Sequence, residues 1–204
     1  MQLSTIRAAA AALAAFAFAA MPAHGDAARD AHAAPAGAYS LDAGHTAIVA
    51  RVPHMGFSYE IFRFSPTQGQ LTWDPASPAA NRLNVTVDVA SIQTPVEGFG
   101  AELGEARFLN TAQFPTATFV STAFRQVDAT HGQVDGTLTL KGVPKPVTFD
   151  VELIGAGQNF RGATVIGVHA VTHVNNADYG FPPFIGGQTE IVIDAEFDRQ
   201  QAAH

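Results

Sequence analysis

The chain has 204 residues, 47% apolar and 14% charged, with 11 Lys+Arg against 18 Asp+Glu and a net charge of −7. Basic residues never cluster into the runs that a phosphate backbone demands, so nucleic acid is not an expected partner. The absence of cysteine excludes disulfides, iron–sulfur clusters, thiolate zinc sites, cysteine nucleophiles and an acylated cysteine, which leaves stability to the core.

Residues 1–25 read as a secretory signal peptide. Arg7 supplies the positive start, and Ala8–Met21 is an apolar run of 14 residues, too short for a comfortable membrane span. Small-residue cleavage positions follow Ala19, Gly25 and Ala33, and an uncleaved membrane anchor is the competing reading. A cleaved leader implies a secreted protein. Residues 26–37, rich in alanine, read as a disordered lead-in, and the folded domain is expected over residues 38–199.

Within that domain the apolar period is two, the signature of strands with one dry face. Tyr39–Leu41 and Thr46–Val52 read as two strands separated by Asp42-Ala43-Gly44, with Pro53 stopping the second. In the aromatic stretch Phe57–Phe64, Phe57, Tyr59 and Ile61 share one face while Phe62 and Phe64 share the other. Gly69–Trp73 is a further short strand, and Asp74–Asn81 a proline-bearing loop. Leu83, Val85, Val87 and Val89 then alternate with polar residues.

Pro95–Asn110 breaks this pattern. Val96, Phe99 and Leu103 suit one face of a short helix, weakened by Gly98, Gly100 and Gly104. Thr116–Phe124 returns to strand. The most regular stretch is Gly136–Leu153, a hairpin that turns Leu138, Leu140, Val147, Phe149, Val151 and Leu153 to one side. Its turn is expected over Lys141–Pro146, where Gly142 accepts positive φ and two prolines end the ladder. Arg161–Val174 is a β-branched run, Asn175–Gly187 a loop carrying Tyr179, Phe181 and Phe184, and Thr189–Phe197 a last alternating strand. About eight to ten strands with one short helical insertion predict a mainly β protein, an antiparallel barrel of about eight strands or a sandwich. A closed barrel of that size holds one small ligand among its inward side chains.

Catalytic signatures are scarce, and no enzyme is expected. No GxSxG occurs, and Gly98-Phe99-Gly100 with Gly104 has the wrong spacing for a dinucleotide loop and lies in no βαβ unit. His169 and His173 stand four apart in a strand, about 13 Å at roughly 3.3 Å per residue, too far to share a metal. No metal and no cofactor are expected. His45 and His54 bracket the strand Thr46–Val52; they either bond turn backbones, form a polar mouth for a ligand head group, or ligate haem. The 15 phenylalanines either fill an ordinary core or line a ligand tunnel.

Several motifs resemble those of the YceI-like family. Tyr39-Ser40-Leu41-Asp42-Ala43-Gly44-His45-Thr46 is similar to its D-x-x-H-[ST] opening, and His54-Met55-Gly56-Phe57-Ser58 to its H-x-G-x-S block. Phe114-Pro115-Thr116-Ala117-Thr118-Phe119 resembles [FY]-P-x-x-x-F, the Gly136–Val147 hairpin is the nearest match, and Asp178-Tyr179-Gly180 resembles the D-[FY]-G turn. The resemblance covers Ala38–Asp198 and implies a lipocalin-like antiparallel barrel in the periplasm that holds a polyisoprenoid or other long-chain amphiphile. It implies a non-enzymatic binding or carrier protein, membrane contact that is transient at most, and leaves a homodimer open.

On that reading Phe57, Phe62, Phe64, Phe119, Phe149 and Phe184 line the ligand, and His45 and His54 meet its polar end. The chain departs from the family pattern at Phe62, where a glycine is common, at Phe99–Leu103, where a charged R-D-x-H-L patch is common, and at Asn176, where an arginine is common. These changes favour a neutral quinone-like or fatty-amide head over a phosphate. Two alternatives stay open: a redox-associated or prenyl-modifying accessory protein using the same pocket, and an interaction module whose barrel is filled by side chains.

Overall fold

A computed structural model describes residues 27–201. Eight strands close into one barrel in which each pairs with its sequence neighbours and β1 with β8. They are β1 (Gly37–His54), β2 (Ser58–Trp73), β3 (Arg82–Gln93), β4 (Thr116–Gln126), β5 (His131–Leu140), β6 (Val143–Gln158), β7 (Thr164–Asn175) and β8 (Gln188–Arg199). Every ladder is antiparallel. Closure removes the exposed edges of an open sheet.

The loops sort into two ends. The lower end carries residues 27–36 before β1 and the connections 74–81, 127–130 and 159–163; the upper end carries 55–57, 94–115, 141–142 and 176–187. One short helix, α1 (Phe99–Leu103), lies in the upper connection between β3 and β4. Of the helical face expected there, Leu103 is buried, but Val96 lies outside the helix and is exposed.

Where the sequence suggested two strands, β1 is continuous. Its pairing with β8 passes from Asp42↔Glu196 to Ala47↔Asp194, so five steps on β1 match two on β8. This large bulge absorbs Asp42-Ala43-Gly44, which looked like a turn. Pro53 does not stop the strand; it pairs with Tyr59 beside the turn. β2 likewise joins the two strands expected at Phe57–Phe64 and Gly69–Trp73. Pro66 is accommodated at a register irregularity against β3.

The β5–β6 turn is also shorter than expected. Only Lys141 (φ 53°) and Gly142 (φ 72°) lie between Leu140 and Val143, the type I′ geometry of a two-residue hairpin. Pro144 and Pro146 sit inside β6, opposite Thr139 and Thr137. Alternation from the closing pair puts both prolines at positions whose nitrogens face away from β5. The β6–β7 ladder begins only at Asp150↔Val171, so those nitrogens forfeit no ladder bond.

The signal-peptide and anchor readings fall on residues 1–26, outside the described residues. Residues 27–36 are not the disordered lead-in that composition suggested. Ala28 exchanges backbone hydrogen bonds with Ala156 at 2.9 and 2.8 Å, and Arg29 pairs with Glu152. Asp30 caps a 3-10 turn, Ala31–Ala33, and Ala34 is fully buried. The Tyr39 hydroxyl donates to the Pro35 carbonyl at 2.6 Å. The segment packs into the lower core around Tyr39, Leu71, Ile166 and Phe197.

Candidate functional site

The inward faces of the strands do not meet at the barrel axis. They enclose a cavity of about 520 Å³ that runs between the two ends, within the range of pockets that hold small organic ligands. The filled-barrel alternative is thereby corrected. Leu83, Val85, Val87 and Val89 of β3 line it, as do Leu138 and Leu140 of β5. From β8 come Thr189, Ile191, Ile193, Ala195 and Phe197, one face of the alternating strand expected there. The physical reason is the strict period of two in these strands, which fixes one face once the barrel closes.

The upper end is shut by hydrocarbon. Leu103, Phe108 and Leu109 from the β3–β4 connection and Phe181 and Ile185 from the β7–β8 loop line the cavity there. Phe62 packs against Phe99 with ring centroids 6.1 Å apart. Asn176 and Lys141 at this end spend their polar groups on the protein, while the buried Tyr179 hydroxyl has no hydrogen-bond partner among the described residues. Buried Asn176 accepts from Thr189 Oγ1 at 2.7 Å and donates from Nδ2 to the Ile185 carbonyl at 3.1 Å. Lys141 Nζ donates to the Gly180 carbonyl at 3.1 Å and lies 4.5 Å from the Phe181 ring centroid. Partial burial pushes its pKa down. Tyr179 is buried on the same loop, and burial first, then the Asp178 charge, raises its hydroxyl to about 12.

The lower end is more polar. Trp73, Asn81, Arg125, Asp128, His131 and Gln133 border the cavity, with Asp30 and His32 from the segment before β1. Its charges are largely paired: Arg125 donates to Asp135 at 2.8 Å and Gln133 at 3.0 Å, and His131 Nδ1 stands 3.0 Å from Asp128. The backbone amides of Thr130 and His131, together with the His131 ring, hold Asp128 at about 2.

Four of the eight residues expected to touch a ligand line the cavity: Phe62, Phe64, Phe119 and Phe149. The other four do not. Phe57 is 87% exposed because it follows a tight turn, Met55 (φ 52°) and Gly56 (φ 78°), that carries it beyond the barrel rim. Phe184 is 72% exposed on the outer side of its loop, edge-on to Phe108. His45 is thrown outward by the β1 bulge, with Nδ1 2.7 Å from Asp42 Oδ2. His54 stands at the top of β1, 3.9 Å from Glu60. The two histidines therefore form no common mouth.

Asp42, His45 and Glu196 each place one ligand atom within 4.8 Å of the others. They lie on the solvent side, and His45 already spends Nδ1 on Asp42. His169 and His173 also face outward, against Asp194 and Glu190 of β8. Sequence reasoning passed over Trp73 and Asn81 at the lower end; a polar asparagine closing a proline loop beside the only tryptophan was the signal available.

A family model described as the YceI-like domain matches residues 39–197. The chain is 33% identical over 160 residues to the protein YceI of Escherichia coli, covering 77% of this chain and 83% of that one. Its fold is similar to the crystal structure of Burkholderia cenocepacia BcnA, with a TM-score of 0.65 at 22% identity, covering 76% and 98% of the two chains. It is also similar to a polyisoprenoid-binding domain from Saccharophagus degradans implicated in plant cell wall breakdown, with a TM-score of 0.59 at 16% identity, covering 79% and 98%.

Proposed function

The chain belongs to the YceI-like family, and we propose that it is a periplasmic carrier that holds a long-chain isoprenoid or similar amphiphile inside its barrel. The observation that carries the reading is the cavity: about 520 Å³, nearly continuous in hydrocarbon from Trp73 to Phe181. Such a lining binds by area. Each CH₂ taken from water is worth roughly 0.8 kcal/mol, so a long chain needs few polar contacts. The polyisoprenoid-binding domain with this fold supports the same ligand class. We read the protein as a binder and not a catalyst because the lining supplies shape and apolar surface, with Phe62, Phe64, Phe119 and Phe149 as its aromatic walls.

The test is direct. Protein purified from the periplasmic fraction of its own cells is extracted with organic solvent and the extract analysed by mass spectrometry. A lipid in near-stoichiometric amount is expected, as is rebinding of a labelled isoprenoid by the stripped protein. No lipid and no rebinding would defeat the reading. Absence from the periplasmic fraction would defeat its location alone.

A further inference from the structure

Exposed apolar side chains gather on two neighbouring loops at the upper end. Met55 and Phe57 of the β1–β2 turn are 77% and 87% exposed, and Phe184 of the β7–β8 loop is 72% exposed. The two loops adjoin: a Cβ on Gly187 would stand 3.7 Å from Pro53 Cγ. Over residues 52–59 and 179–189 the chain has no aspartate, glutamate, lysine or arginine. Single exposed apolar residues are ordinary, but three on adjoining uncharged loops mark a contact surface. The lower end differs. There exposed Val127 precedes Asp128, and exposed Phe160 has the Arg161 guanidinium 5.2 Å from its ring centroid.

This surface continues into the cavity. Phe181 and Ile185 line the cavity, while Phe184 between them lies outside. Phe184 meets Phe108 edge-on at 6.1 Å, and Phe108 is a cavity wall. The barrel wall here is sparsely laddered. Val143–Phe149 of β6 pair with β5 but not with β7, and Ser58–Phe62 of β2 pair with β1 but not with β3. At the lower end the same two ladders run on to Gln158↔Thr164 and Thr72↔Arg82. Side chains and loops therefore hold the upper end shut, and these open at lower cost than a complete ladder.

We propose that the rim formed by Met55, Phe57 and Phe184 is a docking surface for a bilayer of neutral, zwitterionic phospholipid. The chemistry selects this occupant. A hydrocarbon chain passing Phe108 and Phe184 needs an apolar phase within reach, and a bilayer supplies one. The rim enters that phase without stripping water from a charge. Tyr59, 55% exposed beside Phe57, has the amphipathic ring that sits at headgroup level. The chain's net charge of −7 gains nothing from an anionic surface, so contact rests on apolar area. Three side chains on loop tips give reversible docking, far weaker than a spanning segment.

The inference rests on the lipid-carrier reading, and the experiment separates the two. Protein purified from the periplasmic fraction of its own cells is floated with phosphatidylcholine vesicles. Transfer of a labelled isoprenoid from protein to vesicles is then timed. Wild type is expected to float with the vesicles, and its transfer rate to rise with vesicle concentration, as collision requires. Phe57→Ser and Phe184→Ser are each expected to lower vesicle affinity about tenfold and to slow transfer, while holding the isoprenoid in solution as tightly as wild type. Phe160→Ser, at the lower end, is expected to change neither.

No flotation of wild type, or a transfer rate indifferent to vesicle concentration, overturns the docking surface. So does an equal loss in Phe160→Ser. A rim variant that changes oligomeric state but not vesicle affinity also overturns it, and assigns the rim to a second copy. Flotation that depends on Phe57 and Phe184, with no binding of the isoprenoid, would uphold the surface and defeat the carrier reading.

Discussion

Phe119 on β4 meets Phe149 on β6 edge to face, with ring centroids 5.1 Å apart and planes at 80°, across the intervening strand β5. The contact is allowed by Gly136 of β5, which pairs with Ser121 and Val147 and sits under the Phe119 ring. A Cβ at Gly136 would stand 2.4 Å from Phe119 Cζ and 2.6 Å from the Val120 carbonyl oxygen. The ring could turn aside only into the cavity, and the carbonyl belongs to the barrel wall. Gly136→Ala is therefore expected to destabilise the protein by about 1–3 kcal/mol through overpacking. Urea unfolding followed by circular dichroism measures it; an unchanged midpoint would mean that the ring has free space beside it.

Filling the cavity tests whether its emptiness serves a ligand. Ala170 of β7 is buried, lines the cavity, and packs with Phe119, Phe149 and Val134. Ala170→Phe places a ring in the ligand's path without adding a polar group. The variant is expected to keep a strand-type circular dichroism spectrum and to yield no extractable lipid. Wild type, by contrast, should lose stability when stripped. A ligand at a hundred times its dissociation constant contributes about 2.7 kcal/mol. A folded Ala170→Phe variant that still carries lipid would place the ligand elsewhere.

Much of this was legible in the sequence, for one reason. Over Leu83–Val89 of β3, Val147–Leu153 of β6 and Ile191–Phe197 of β8 every second residue is apolar, and closure of the barrel turns each such face inward as a unit. What could not be read depends on partners distant in sequence. The Asp42-Ala43-Gly44 segment looks like a turn, yet β8 carries β1 through it as a bulge, and that bulge sends His45 outward. Prolines 144 and 146 look like breakers, but the missing β7 ladder beside them makes them harmless. Asn81 looks like an ordinary loop residue until the Asp74 amide and the cavity are both seen to touch it.

The outward residues supply a contrasting set of variants. His45→Ala, His54→Ala, Phe57→Ser and Phe184→Ser are each expected to retain lipid at the wild-type level, because none lines the cavity. Phe62→Ala removes a buried ring that does line it, and is expected to cost about 3–5 kcal/mol, toward the lower figure where the site is already hollow. Retained lipid is measured by extraction, stability by urea midpoint. Loss of lipid from either histidine variant, with folding intact, would restore the histidines as ligand contacts.

Asn176 is expected to act through the loop it ties. It holds Thr189 Oγ1 and the Ile185 carbonyl by its side chain, and its own amide donates to the Gly187 carbonyl at 3.2 Å. Asn176→Ala leaves a buried hydroxyl and a carbonyl unmatched, at a cost of about 1–3 kcal/mol. Hydrogen exchange should accelerate in residues 176–187 more than in β3, on the far side of the barrel. Uniform acceleration would mean that the loop does not open separately from the wall.

The His45–Asp42 pair gives the pH prediction. The Asp42 hydrogen bond, followed by the charges of Asp42, Glu196 and Asp198, raises the His45 pKa above its ordinary 6.5. The His45 hydrogen bond, with the Gly44 amide assisting, lowers Asp42 below 3.8. A raised histidine favours the fold fully below about 6.5, and the benefit fades as pH rises through the raised value. A lowered carboxylate favours the fold above 3.8, and its benefit fades as pH falls through the lowered value. The pair thus holds the bulge best between those limits. In an NMR titration the His45 ring is expected to titrate above 6.5 in wild type and closer to it in Asp42→Asn, where Glu196 and Asp198 still act. A wild-type His45 that titrates at or below 6.5 would show that the pair does not form in solution.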